Sequence, residues 1–316
     1  MYYIGIDIGG TKCAAVIGKQ FDDAFRIEDK IVFPTADKEP YIVLNEFCAF
    51  IEKYIKTHKI AGIGVSCGGP LDSKSGIVMS PPSLPRWDNI QIVDYFEKKY
   101  GIRTVLRNDA DACAVAEWRY GAGRGSNNMI FLTFGTGFGA GLILNGRLYS
   151  GTNDNAGEIG HVRLTKSGPV GYHKAGSCEG YCSGSGIVRL AHIMSQKDVY
   201  KDSYNVFLKS VGENNVSAKT IAEYARKGNK FCKAIYRKSG EMLGRTLSIF
   251  VDLLNPEKIV IGGVFMRAYD LLYPSALKIM KRECLSASLE RVAVLPAGLG
   301  ENVGDYAALA IAQGDF

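Results

Sequence analysis

The chain has 316 residues, enough for one large domain or two ordinary ones with an ample buried core. Apolar residues make up 47% and charged residues 22%, which excludes a disordered or low-complexity chain. With 38 basic and 32 acidic residues the formal charge is +6, and no lysine or arginine run tracks a phosphate backbone. No nucleic-acid partner is therefore expected, while an anionic small molecule is compatible with the charge.

The opening MYYIGIDIGG lacks the basic start and small-residue cleavage site of a secretory signal and goes straight into a strand-like run, so a cytoplasmic chain is expected. Asp7, Gly9, Gly10, Thr11 and Lys12 end that run. Small residues there let backbone N–H groups approach phosphate oxygens, Lys12 offers a point charge, and Asp7 suits a hydrated Mg²⁺ whose other sites are filled by nucleotide phosphates. A tight hairpin with a surface lysine would read the same way. Residues 41–57 place Leu44, Phe47, Phe50, Ile51, Tyr54 and Ile55 at helical spacing, and IAGIGVSCGGP at 60–70 then reads as a buried strand ending in glycines.

RNDADACAVAEWRYGAGRG, from Arg107, sets Asn108 and Asp109 just before a segment of helical character, where a helix N-terminus favours the ionised carboxylate. A plain N-cap is the alternative reading. Asp111 is expected to be a solvent-facing carboxylate on the first helical turn. The uncharged window Met129–Gly146 holds five glycines and two threonines, so it reads as strand, turn and strand, and no membrane span is expected.

Setting residues 4–17 over 130–143 aligns Ile4 with Ile130, Ile6 with Leu132, Ile8 with Phe134, Gly9 with Gly135 and Val16 with Leu142. Each copy is a hairpin with an unobstructed turn, which suggests two similar domains with a nucleotide between them. Gly135, Thr136 and Gly137 form the second turn, where Thr136 is placed to donate to a terminal phosphate. Gly135, Gly137 and Ala140 also fit GxGxxA, yet GLILNGRLYSG continues as strand and turn where a dinucleotide fingerprint would open a helix. No GxxxxGK[ST] occurs, which excludes a P-loop. Residues 240–254 read as an apolar helix stopped by Asn255 and Pro256, followed by the strand KIVIGGV. The alternation points to an α/β fold with helices packed on mixed sheets.

Residues 158–186 gather two histidines, two cysteines and two glutamates in a glycine-rich stretch without helix or strand period. The eight cysteines include no CxxC pair and are expected to be reduced, mostly buried thiols.

DIGGTK at 7–12, GGPLD at 68–72, SLPRW at 83–87, NDADA at 108–112, GAGRG at 121–125, GTGFGAG at 135–141, EIGH at 158–161, EGYCSG at 179–184 and IGGV at 261–264 occur in this order. Together they resemble the ROK family of sugar kinases and regulators, within the actin-like ATPase superfamily. The resemblance implies two actin-like (ribonuclease H-like) domains with mixed β-sheets flanked by helices and an active-site cleft between them. It implies a first domain over 1–119, on which a helix at about 303–316 packs back, and a second over 120–302. It makes Asp109 the general base of phosphoryl transfer from MgATP, Asn108, Glu158, His161 and Glu179 the sugar-hydroxyl ligands, and Gly69 a backbone sugar contact. Gly262 and Gly263 would let adenine and ribose approach the second domain. Relatives are often dimers, so a homodimer is implied by analogy.

Most relatives follow EIGH with CxCGxxGCxE, whose three thiolates and histidine hold a structural zinc. Anchored on Glu179, the three cysteine positions here are Val170, Tyr172 and Ser177, so no structural zinc is expected, and Tyr172 or packing by Val170 is left to hold His161. The resulting expectation is an ATP-dependent hexose kinase making glucose 6-phosphate. Fructose, mannose, N-acetylmannosamine and N-acetylglucosamine stay open, since Ser83 replaces an asparagine frequent in relatives, as does a phosphoryl donor other than ATP. A non-catalytic sugar-sensing regulator is the other alternative. With six residues ahead of Asp7 there is no room for the winged helix of such regulators, so DNA binding is not expected.

Overall fold

The computed structural model describes residues 1–22, 24–35, 39–314 and 316. Two compact units account for the chain: Met1–Phe131 with Gly141–Ala156 and Ala297–Phe316, and Leu132–Ala140 with Gly157–Pro296. The first unit thus takes in 120–131, 141–156 and 297–302 beyond the expected 1–119 and terminal helix.

Its five-stranded sheet runs Phe25–Pro34, Lys12–Gln20, Tyr2–Ile8, Ile60–Cys67, Thr104–Asn108. Tyr2–Ile8 pairs antiparallel with its hairpin partner and parallel with Ile60–Cys67, which pairs parallel with Thr104–Asn108. Strands buried on both faces need helices on both. On one face, Val43, Leu44, Phe47 and Ile51 of the helix Pro40–Ile55 pack with Ile4, Ile6 and Ile63. On the other face lies Val303–Ala312, the expected terminal helix, with residue 315 outside the described residues. This second helix sits close because glycines face it: a Cβ on Gly64 would lie 2.1 Å from the Ala308 carbonyl oxygen, and one on Gly62 2.4 Å from that of Ala312.

The other five-stranded sheet runs Arg147–Leu148, Phe138–Leu144, Met129–Phe134, Lys258–Ile261, Ala293–Pro296. Its order repeats that of the first, and the two hairpins read at 4–17 and 130–143 occupy corresponding places in it. The helix read over 240–254 begins earlier, at Lys230, because the Asn229 side chain accepts the Cys232 N–H at 3.1 Å and the lysines and arginine that follow are good helix formers. It ends where expected, at Asn255 in a left-handed conformation (φ 46°) ahead of Pro256. All eight cysteines are free and six are buried. Among the described residues no helix is long and apolar enough to cross a membrane.

Candidate active site

In the first unit the carboxyl ends of three parallel strands lie side by side. Asp7 is level with Ser66, Ile8 with Cys67, and Cys67 with Asn108. Ligands of open α/β sheets gather at this end of parallel strands. Asn108 caps the helix Asp109–Tyr120, its side-chain oxygen accepting the Ala110 N–H at 2.9 Å, so the cap role falls to Asn108 and Asp109 occupies the first helical position. The Asp109 carboxylate accepts the same N–H at 2.8 Å. Gly69 lies against Asn108: a Cβ there would come within 3.3 Å of Asn108 Nδ2.

Charge is concentrated here. Burial, then the negative charges of Asp109 and Asp305, raise Asp7 to about 6 against the opposing effects of the Ser66 hydrogen bond and Lys12. Asp109 is raised too, by crowding protein atoms that outweigh its backbone hydrogen bonds, although its own surface stays accessible to solvent. A buried carboxylate raised by a second negative charge fits a hard divalent cation. Among the described residues no group of three or more His, Cys, Asp or Glu forms a metal cage. Asp7 and Asp109 offer the hard oxygen donors that Mg²⁺ prefers, and such an ion takes its remaining ligands from water and phosphate.

The first glycine turn is bound to its surroundings. Gly9 N–H donates to Lys12 O at 3.1 Å, and the Thr35 hydroxyl donates to Gly9 O at 2.6 Å. A Cβ on Gly10 would meet the Ser83 Cβ at 2.5 Å, which ties the DIGGTK and SLPRW segments together.

Asp111 departs from the expected surface carboxylate. It is 2% exposed, accepts the Ser150 hydroxyl at 2.6 Å, and is raised to about 7, mainly by burial. The helix turns it inward because Ser150, well separated in sequence, supplies a donor that the local pattern does not reveal. Its charge is not among the causes raising Asp109.

The second unit groups Glu158, His161 and Glu179. A short 3₁₀ turn, Ile159–His161, brings His161 Nε2 to 3.7 Å from Glu158 Oε2. Gly160 lets this turn press onto Phe138: a Cβ there would lie 2.1 Å from Phe138 O and 3.5 Å from the Glu179 Cβ. Glu179 in turn accepts the Phe138 N–H at 3.3 Å, and Gly137 leaves room for its carboxylate.

A cavity of about 690 Å³ opens beside Gly135 and Thr136 and is lined also by Lys219, Arg226, Tyr236 and Arg267. Arg226 is fixed by Asp270 through two hydrogen bonds of 2.9 and 2.6 Å. Gly263 (φ 63°) leaves no space for a side chain, its Cβ position lying 2.2 Å from Phe134 O, and the cavity wall begins one residue later at Val264. Ser66, Lys219, Arg226 and Tyr236 were not singled out in the sequence. The one signal near them is the Ser217–Thr220 capping box, whose Thr stands where the usual motif has Glu or Gln.

The three cysteine positions of the zinc-type loop hold Val170, Tyr172 and Ser177. Val170 and Tyr172 belong to a hairpin, and Ser177 caps the helix Cys178–Tyr181. Cys178 takes a hydrogen bond from the Thr246 hydroxyl at 3.3 Å, with burial pushing its thiol to about 11. Cys182 is buried near Ser239 O at 3.9 Å and is raised further by burial.

This architecture is that of an actin-like sugar kinase fold, and a model of the ROK family matches residues 3–315, so the chain belongs to the ROK family. It is similar to the glucokinase of Halalkalibacterium halodurans, with 31% identity over 92% of this chain and 88% of that one. It is similar also to the glucokinase of Streptomyces coelicolor, with 28% identity over 98% of this chain and 97% of that one. The crystal structure of a ROK family glucokinase from Streptomyces griseus in complex with glucose and AMPPNP is 28% identical, covers 100% of both chains and superposes with a TM-score of 0.80.

Proposed function

We propose that the protein is an ATP-dependent hexose kinase that transfers the γ-phosphate of MgATP to glucose, giving glucose 6-phosphate. The observation that carries this reading is the cluster of Asp7, Ser66, Asn108 and Asp109 at the carboxyl ends of three parallel strands, in a chain similar over nearly its whole length to glucokinases.

Phosphoryl transfer asks for alignment, charge neutralisation and one carboxylate at the nucleophile. Asp109 takes the proton of the attacking hydroxyl, and a carboxylate raised above its ordinary range is a better acceptor. Asn108 and the Gly69 backbone, with Glu158, His161 and Glu179, bind the remaining hydroxyls through directional hydrogen bonds. The turns at Gly9, Gly10, Thr11 and Lys12 and at Gly135, Thr136 and Gly137 present N–H groups to the phosphates. Gly262 and Gly263 shape the approach to the cavity at Lys219, Tyr236 and Arg267, which takes the adenosine. Asp7 would hold the Mg²⁺ of MgATP, and that ion would offset the negative charge of the transferring phosphate. We place the enzyme in the cytoplasm, as a homodimer by analogy with relatives.

A coupled ADP-release assay across glucose, fructose, mannose and the N-acetylated hexosamines tests the reading. Glucose is expected to have the highest kcat/KM. Turnover of none of them would favour the sugar-sensor alternative.

A further inference from the structure

We propose that Tyr172 positions His161, on a metal-free hairpin that takes the place of the family's zinc. The proposal rests on the reading of His161 as a sugar ligand.

Val170–Gly171 pairs antiparallel with Lys174–Ala175, leaving Tyr172 and His173 as a two-residue turn. Both are left-handed, at φ 43° and φ 62°. Such turns normally carry Asn-Gly, and a bulky aromatic residue stays there only where its surroundings hold it. They do so from three sides. Next to the turn a Cβ on Gly171 would meet Gly180 N at 2.5 Å, so the hairpin lies directly on the helix that carries Glu179. Arg189 donates to Val170 O at 2.9 Å, and Gly176 N–H to Pro169 O at 3.0 Å. Lys174, just after the turn, donates to the carbonyl of His161 itself at 2.8 Å.

The consequence is at the imidazole. The Tyr172 ring meets His161 edge-on, with centroids 4.7 Å apart and planes at 75°, while Glu158 stands 3.7 Å from Nε2. The ring is thus confined between an aromatic neighbour and a carboxylate, and it keeps 39% of its side-chain surface open. A metal ligand bond fixes a histidine through one nitrogen. Here the same restriction comes from the ring edge, leaving both nitrogens for hydrogen bonding. Val170, whose side chain was expected to help, is 45% exposed and contributes its carbonyl.

The test uses the intact protein and measures glucose binding by calorimetry without nucleotide, alongside steady-state kinetics. Tyr172→Ala is expected to weaken glucose binding and raise its KM about fivefold, the size of one edge-to-face contact, with kcat and the KM for ATP within about twofold. Tyr172→Phe keeps the ring and is expected to restore wild-type affinity, whereas His173→Gly, which removes the left-handed side chain beside it, should leave glucose affinity unchanged. If the alanine variant does not fold, Tyr172→Leu carries the same expectation. Unchanged glucose affinity in the folded Ala or Leu variant would overturn the proposal alone. So would stoichiometric zinc in the purified protein whose removal by a zinc-selective chelator weakens glucose binding. A wild-type protein that binds no hexose would overturn the kinase reading and this proposal with it.

Discussion

Replacing Asp111 by Asn should stabilise the protein at neutral and alkaline pH and leave it nearly unchanged in acid. The carboxylate is 2% exposed and its pKa rises from the ordinary 3.8 to about 7, chiefly through burial. Between those values the native chain holds a proton that the unfolded chain has lost, so wild-type stability falls as pH climbs and the whole penalty is present above about 7. Roughly three pH units at about 1.4 kcal/mol each set an upper limit of about 4 kcal/mol. The Ser150 hydroxyl, 2.6 Å from Oδ2, keeps an acceptor in the amide, whereas the favourable charge of the nearby Arg107 loses its partner. We therefore expect Asp111→Asn to gain about 2–3 kcal/mol at pH 8 and close to nothing at pH 4. Urea titrations of both proteins at pH 4, 6 and 8 measure this. A gain independent of pH, or a variant less stable than wild type at pH 8, would refute the reasoning.

Two further changes probe the first unit. Glu117 is fully buried and accepts the N–H groups of Ala122 at 2.8 Å, Gly298 at 2.9 Å and Leu299 at 2.9 Å. Glu117→Ala strands all three donors and should cost about 4 kcal/mol in urea unfolding; a loss below about 1 kcal/mol would count against this role. Gly64→Ala sets a methyl group 2.1 Å from the Ala308 carbonyl oxygen, so the helix Val303–Ala312 must move off the sheet. Its expected cost is about 3 kcal/mol, read as a lowered melting temperature, and a variant as stable as wild type would contradict the close packing.

Local pattern carried much of the fold. Apolar runs broken by glycine turns marked both hairpins, and the polar pair Asn108–Asp109 ahead of a small-residue segment marked the helix start. What escaped depends on partners distant in the chain. Ser66 reaches Asp7 only through the parallel register of two strands separated by two further strands and a helix. Asp111 is inward because of Ser150, and Glu117 because loops at 121–122 and 298–299 converge on it. Lys219, Arg226 and Tyr236 meet at the cavity from helices with ordinary amphipathic spacing, which looks the same whether or not a ligand sits nearby. The missing thiolates of the zinc-type loop were plain in the sequence, but the hairpin that stands in their place depends on backbone contacts with the helix Cys178–Tyr181.

The central claim is that Asp109 is the base of a hexose kinase, and Asp109→Asn tests it most directly in the ADP-release assay with glucose and MgATP. The amide keeps the shape and cannot take the proton. We expect kcat to fall by about 10³-fold or more while glucose affinity, measured by calorimetry, stays within about tenfold of wild type. A variant turning over glucose at near the wild-type rate would contradict the assignment.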